Sequence, residues 1–152
     1  MTCKIIFELE RDEDGFPPIS VEMLNATSLG DGRFRLQNAP FFAENISYND
    51  IVKATPTGVS GQFRFEEVIE PSEFASISII ILDSSMDEFL MELIRGFDCV
   101  VEYGEFGVYR VLAVAIPDAT NYALLREKLR LLEDGEQVSV AELALPDKSV
   151  EP

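Results

Sequence analysis

The chain contains no histidine and no tryptophan, and only two of its 152 residues are cysteines. Without histidine, the side chain most used as a general base near neutral pH is missing, and so is the commonest metal ligand. A serine or cysteine nucleophile would lack its usual activating partner. Cations are scarce too: 12 lysines and arginines stand against 28 aspartates and glutamates, a formal net charge of −16. Nucleic-acid binding requires clustered cations that neutralise phosphates, so no nucleic-acid partner is expected. Anionic membrane surfaces are disfavoured for the same reason. Long apolar runs are also absent. The strongest, residues 77–82, falls far short of the roughly 20 residues of a membrane-spanning helix. The N-terminal segment turns acidic from Glu8 to Asp14 and has no signal-peptide form, so a cytoplasmic location is expected. Cys3 and Cys99 lie in separate apolar runs and read as reduced structural thiols, although spacing alone leaves a disulfide open.

What is present is a globular composition, 47% hydrophobic, in a chain long enough for one domain or two small ones. A chain of this size buries roughly 68–70% of its unfolded surface and needs no staples. The first 74 residues read as short strands and turns. Residues 4–10 alternate, with Ile5, Phe7 and Leu9 on one side. Asp12–Glu13–Asp14–Gly15 is a turn, and Pro17–Pro18 keeps the following stretch extended. Further strands are expected at 19–25, 33–36, 51–54 and 63–69, with a tight turn at Gly30–Asp31–Gly32. Strands at this spacing predict a small β-barrel-like unit.

The period then changes. Residues 77–82 form a buried-type strand. Ser85 and Glu88 have the spacing of a capping box, and Met86, Phe89, Leu90, Leu93 and Ile94 follow on one helical face up to Gly96. Residues 97–103 and 108–116 are strands, with 104–107 as the hairpin turn. Pro117–Asp118 opens a second helix whose apolar side carries Tyr122, Leu125, Leu129 and Leu132, and 137–143 is the last strand. The order β-α-β-β-α-β is that of a ferredoxin-like unit. The expected fold is therefore α+β: a barrel-like domain over 1–74, a ferredoxin-like domain over 75–145 and a frayed tail over 146–152.

Several motifs dissolve on inspection. Phe106–Gly107–Val108–Tyr109 faintly resembles an RNA-binding aromatic signature, but Glu105 stands where that signature needs a base. The turn Asp83–Ser84–Ser85 lacks the glycine of many ligand-sensing turns, and Asp87 and Glu88 oppose an anion there. A calcium loop counted from Asp12 would need glutamate at its twelfth position, where Met23 stands. No glycine-rich phosphate loop occurs, and no carboxylate pair stands out among 28 acids. Catalytic residues, metal ligands and cofactors are expected to be none. Arg126, Lys128 and Arg130 are expected to pair with acids on an exposed helix face.

The acidity remains, and it is global: the first 74 residues hold 13 acids and 6 bases, the rest 15 and 6. Such a field steers basic partners and suits proteins that cover a nucleic-acid-binding surface. The leading expectation is an acidic protein-binding module, an immunity-type inhibitor that occludes a basic toxin such as a nuclease. Candidate contacts are Glu66, Glu67, Glu70 and Glu73 near the fifth strand, and Asp87, Glu88 and Glu92 on the first helix. Phe41, Phe42 and Tyr48 are candidate anchors, or else core residues. The alternative is a small-molecule or regulatory module with its site between the two halves.

Two stretches carry a family likeness. Residues 12–26 read DEDGFPPISVEMLNA, and residues 37–53 read QNAPFFAENISYNDIVK. With Cys99 to Glu102 and the Pro117–Asp118 helix start, they resemble a bacterial family known as domain of unknown function 4265. The matching residues are Asp14, Gly15, Pro17, Pro18, Glu22, Asn38, Pro40, Phe41, Phe42, Asp50 and Val52. The sequence departs from that pattern at Asn25, where the family often has tryptophan, and at Asn49, where it often has glycine. The resemblance implies no catalytic residues; it implies structural roles for Gly15, Pro17, Pro18 and Pro40.

Overall fold

Strict inward–outward alternation builds the first unit. The structure, a computed structural model, describes residues 2–146. In β1 (Thr2–Glu8), Cys3, Ile5 and Phe7 point inward, and β2 (Val21–Gly30) answers with Leu24 and Ala26. Next come β3 (Arg33–Leu36), β4 (Ile51–Pro56) and β5 (Gln62–Glu70). Consecutive strands pair antiparallel, and β1 pairs with β5 in parallel, closing a five-stranded barrel. Two register shifts between β4 and β5 supply the extra coiling that closure needs. The β2–β3 turn runs through Gly30, Asp31 and Gly32 with φ of 89°, 57° and 76°, a left-handed run that glycine permits at little cost.

The second unit is a four-stranded antiparallel sheet with two helices. Its elements are β6 (Ala75–Ile81), a 3-10 turn (Ser84–Met86), α1 (Asp87–Arg95), β7 (Val100–Phe106), β8 (Tyr109–Ile116), α2 (Ala119–Asp134) and β9 (Val138–Ala144). The strand order is β7-β8-β6-β9. On one face Ile77, Ile79, Leu112, Val114 and Ile116 meet Leu90 and Ile94 of α1 and Leu125 and Leu129 of α2. Each such side chain contributes roughly 1.5–3 kcal/mol through burial. The opposite face carries small residues. There Ala113 and Ala115 pack with Ala39, Phe41, Tyr48, Phe74 and Val100. The sheet is thus a middle layer between the helices and a loop that leaves the barrel, which is why β8 shows no apolar–polar alternation.

The barrel and the mixed α+β architecture agree with the expectation, while four local readings are corrected. The Ser85–Glu88 capping box does not form. Asp83 caps the 3-10 turn instead, accepting from the Ser85 amide at 3.0 Å and its hydroxyl at 2.7 Å, and α1 begins only at Asp87. Phe89 is exposed, because α1 buries chiefly the Leu90–Ile94 stripe. Gly104 lies inside β7, and the hairpin turns at Gly107, whose φ is 65°. Arg126 is not on an exposed face: only 17% of its side chain is accessible, between Glu133 at 2.8 Å and Glu142 at 3.9 Å. Of the tail assigned to 146–152, residues 147–152 lie outside the described residues.

Candidate functional site

The loop from Gln37 to Asp50 joins β3 to β4 and fills the junction between the two units. Buried carboxylates hold it. Glu22 occupies an inward register position of β2, where the barrel core would ordinarily take an apolar residue. Its oxygens accept from the amides of Phe41 (2.6 Å), Phe42 (3.0 Å) and Ala43 (2.9 Å). Burial pushes this carboxyl above its ordinary value; the three amide bonds oppose the rise, and the nearby Glu102 charge adds to it. Asp50 does the same work at the other end, accepting from the amides of Ser47 (2.8 Å) and Ser72 (2.7 Å). It too is raised by burial against opposing hydrogen bonds. The Ser72 hydroxyl donates to the Tyr48 carbonyl at 2.7 Å, tying the start of the second unit to the same loop.

Asn38 links both units. Its carbonyl oxygen accepts from the Asn25 amide at 2.7 Å, and its amide nitrogen donates to Glu102 on β7 at 3.0 Å. Asn49 adopts φ of 71°, a left-handed conformation that asparagine tolerates and glycine prefers. That accounts physically for an asparagine here where the family pattern carries glycine.

Beside this loop lies a cleft of about 580 Å³ between the units. Its floor is the barrel-facing side of β6 and β9: Ser78, Ile80, Ser139, Ala141 and Leu143. The cavity exists because these positions are mostly small. Phe16, Phe41 and Phe42 form aromatic walls. Phe16 meets Phe42 edge-on at 5.7 Å and Tyr109 at 5.4 Å, so the Asp12–Pro17 turn is docked on both units. Leu9, Pro17, Asn45 and the four acids Glu8, Glu10, Asp12 and Glu44 complete the lining, and no lysine or arginine is part of it. A second, smaller hollow of about 360 Å³ lies over Glu22, Asn38, Phe41, Glu102 and Phe106.

The candidate contact residues separate into three groups. Glu66, Glu67, Glu70 and Glu73 are exposed along and just beyond β5, and none forms an ion pair among the described residues, although Lys53 is the cross-strand neighbour of Glu67. Glu88 and Glu92 are exposed on α1, whereas Asp87 is already engaged by Arg110. Phe41, Phe42 and Tyr48 are turned inward. Phe41 and Phe42 pack on Phe106 at 5.1 and 5.0 Å, and Tyr48 packs on Phe74 at 5.0 Å. They are therefore junction residues, not free surface anchors, because the small alanines of β8 leave room for exactly this aromatic layer to pack against them.

The remaining chemistry is sparse. Both cysteines are free thiols; Cys3 is in the barrel core, and burial beside Asp98 pushes the Cys99 thiol up to about 11. Among the described residues no three histidine, cysteine, aspartate or glutamate side chains converge as a metal-ligating cluster. Among them, too, no helix is long and apolar enough to cross a membrane.

Fold and junction together define a class: a five-stranded barrel and a two-helix, four-stranded sheet joined through one buried loop. Within it, the chain belongs to the family described as Domain of unknown function (DUF4265), whose model matches residues 22–140. It is also similar to the solved structure of a hypothetical protein from Neisseria gonorrhoeae, with a TM-score of 0.75 and 24% identity over 95% of this chain and 94% of that one. At that identity the likeness concerns the fold alone. No curated protein matches. The family-like residues Glu22, Asn38, Phe41, Phe42, Asp50 and Glu102, scattered in sequence, meet at the junction through the contacts just described.

Proposed function

We propose that the protein is a binding protein, not an enzyme, and that its acidic surface receives a basic protein partner. In its most concrete form it is an immunity-type inhibitor that covers a basic toxin such as a nuclease. The observation that carries this reading is the row of exposed carboxylates at Glu66, Glu67, Glu70 and Glu73, none in an ion pair among the described residues. Unpaired exposed acids attract a basic surface at long range and accelerate encounter. With Phe41, Phe42 and Tyr48 used internally, Glu88 and Glu92 join those four as the contact set. A tagged pull-down from nuclease-treated host lysate, washed at low and high salt, tests this. One stoichiometric basic protein, released by salt and lost when Glu66, Glu67, Glu70 and Glu73 become lysine, is the expected result; no such protein at either salt refutes the reading.

A second reading rests on the cleft. A cavity of about 580 Å³ between two units is of the size and place that small ligands favour. It makes the chain a ligand-binding or regulatory module, and a broad thermal-shift screen would show a stabilising small molecule with no protein partner. The second unit is read as ferredoxin-like on the strength of its β-α-β-β-α-β order and its β7-β8-β6-β9 sheet. A cytoplasmic location is favoured by the two free thiols, which persist in reducing compartments.

A further inference from the structure

We infer that the cleft between the units takes a cationic group on an apolar stem, an alkylammonium or alkylguanidinium. This rests on the second reading, that the cleft is a ligand site, and adds the chemistry of the ligand.

Three independent features point the same way. The first is charge. Four carboxylates line the cleft and no cation does. Glu8 has only a loose partner in Arg64 at 3.9 Å, and Asp12 spends one oxygen on the amides of Asp14 and Phe16. Arg11, on the adjoining turn, directs its guanidinium at the carbonyls of Gly15 and Pro17. Glu10 and Glu44 have no ion-pair partner among the described residues.

The second is the lining beneath the acids. Ile80, Ala141 and Leu143 of the floor and the rings of Phe16, Phe41 and Phe42 offer apolar contact, and an aromatic face also attracts a cation within about 6 Å. An inorganic cation would use the carboxylates and leave this apolar surface wet.

The third is an unanswered polar group. Ser78 is 4% exposed and lies on the floor, yet its hydroxyl makes no hydrogen bond among the described residues. The rest of the residue is covered, so the little surface it keeps is its hydroxyl, which faces the cleft open to an incoming group. An N–H donor entering from the acidic rim would supply that partner.

The cation can come from a free amine or from a lysine or arginine of a peptide, and the test separates the two. The full-length, isotope-labelled protein is titrated with hexylamine, with hexanol, with the capped dipeptide Phe-Arg and with its Phe-citrulline counterpart, following the amide signals of Ser78, Ala141 and Asn45. Saturable shifts are expected with the charged probes, and binding at least tenfold weaker with the neutral ones. A preference for Phe-Arg over hexylamine assigns a peptide source, and the reverse a free amine. Ala141→Leu, which fills the floor, should abolish the shifts. Glu10→Gln combined with Glu44→Gln, both at exposed positions, should weaken binding at least fivefold, and serves alone if Ala141→Leu does not fold. Equal binding of charged and neutral probes overturns the cationic chemistry while the cleft reading stands. No saturable shift with any probe overturns the inference, and the broad thermal-shift screen then decides the cleft reading separately.

Discussion

Glu22 shows how one side chain can settle a junction. Three backbone amides of the loop converge on its carboxylate, and each would be a buried, unpaired donor without it. Glu22→Gln replaces one acceptor oxygen with a donor that faces an N–H. We expect a loss of about 1–3 kcal/mol, read from urea unfolding midpoints, as for a buried group left unsatisfied. The pH dependence has a definite sign. Burial raises Glu22 and Asp50 above their ordinary values, so the folded state holds these protons more tightly than the unfolded state. Their contribution is complete below the ordinary carboxylate range and is lost as pH rises through the raised folded values. Net charge acts in the same direction, since −16 repels itself as pH rises. The melting temperature should therefore fall as pH rises above the ordinary carboxylate range. In Asp50→Asn that fall should be shallower; an unchanged slope would remove Asp50 from the account.

At the scale of elements, β7 and its neighbours show what sequence can and cannot carry. Gly104 reads as a turn residue because glycine commonly punctuates hairpins. Its role is instead a close approach: an added Cβ would lie 2.8 Å from the Phe106 ring and 2.9 Å from that of Phe41. Gly104→Ala should destabilise the fold by about 1–3 kcal/mol, the usual cost of overpacking, and differential scanning calorimetry would show it. A neutral result would mean that the two rings swing aside freely. Short strands with clean alternation, such as Arg33–Leu36, were legible because period-two burial is local. So were α2 and its Leu125–Leu129 stripe. The capping at Asp83 was not, because both Asp83 and Ser85 are good N-cap residues and only the backbone selects between them. The cleft was not legible either. Its floor depends on which strands become neighbours, and Ser78 meets Ala141 only once β6 pairs with β9. One trace was on view: the run Ala-Ser-Ile-Ser-Ile puts small polar residues on one face of a strand and isoleucine on the other.

Over the whole molecule, the decisive fact is that the loop between β3 and β4 belongs to the barrel by sequence and to the sheet by packing. Glu22 holds it from the barrel and Asp50 fastens its last turn to Ser72, while Ala113 and Ala115 receive its side chains, and the Asn45 amide donates to the Leu143 carbonyl of β9 at 2.9 Å. The division near residue 74 is thus a boundary in topology that a shared core crosses. Thermal unfolding should follow one transition, with calorimetric and van't Hoff enthalpies in agreement. Two resolved transitions would show units that fold independently.

The position of β8 has a consequence for how this sequence can vary. From Val111 to Ile116 every side chain is buried, alternate residues answering to the helices and to the aromatic loop. A substitution on an ordinary half-exposed strand must satisfy one set of neighbours and leaves the other face to water. Here no residue of the six has that freedom: enlarging an alanine pushes the loop, and shrinking a valine or leucine hollows the helical side. Whatever latitude the protein has to acquire a new partner or ligand lies in the acidic turns and outer strands, while this strand stays fixed and carries both sides of the molecule through the change.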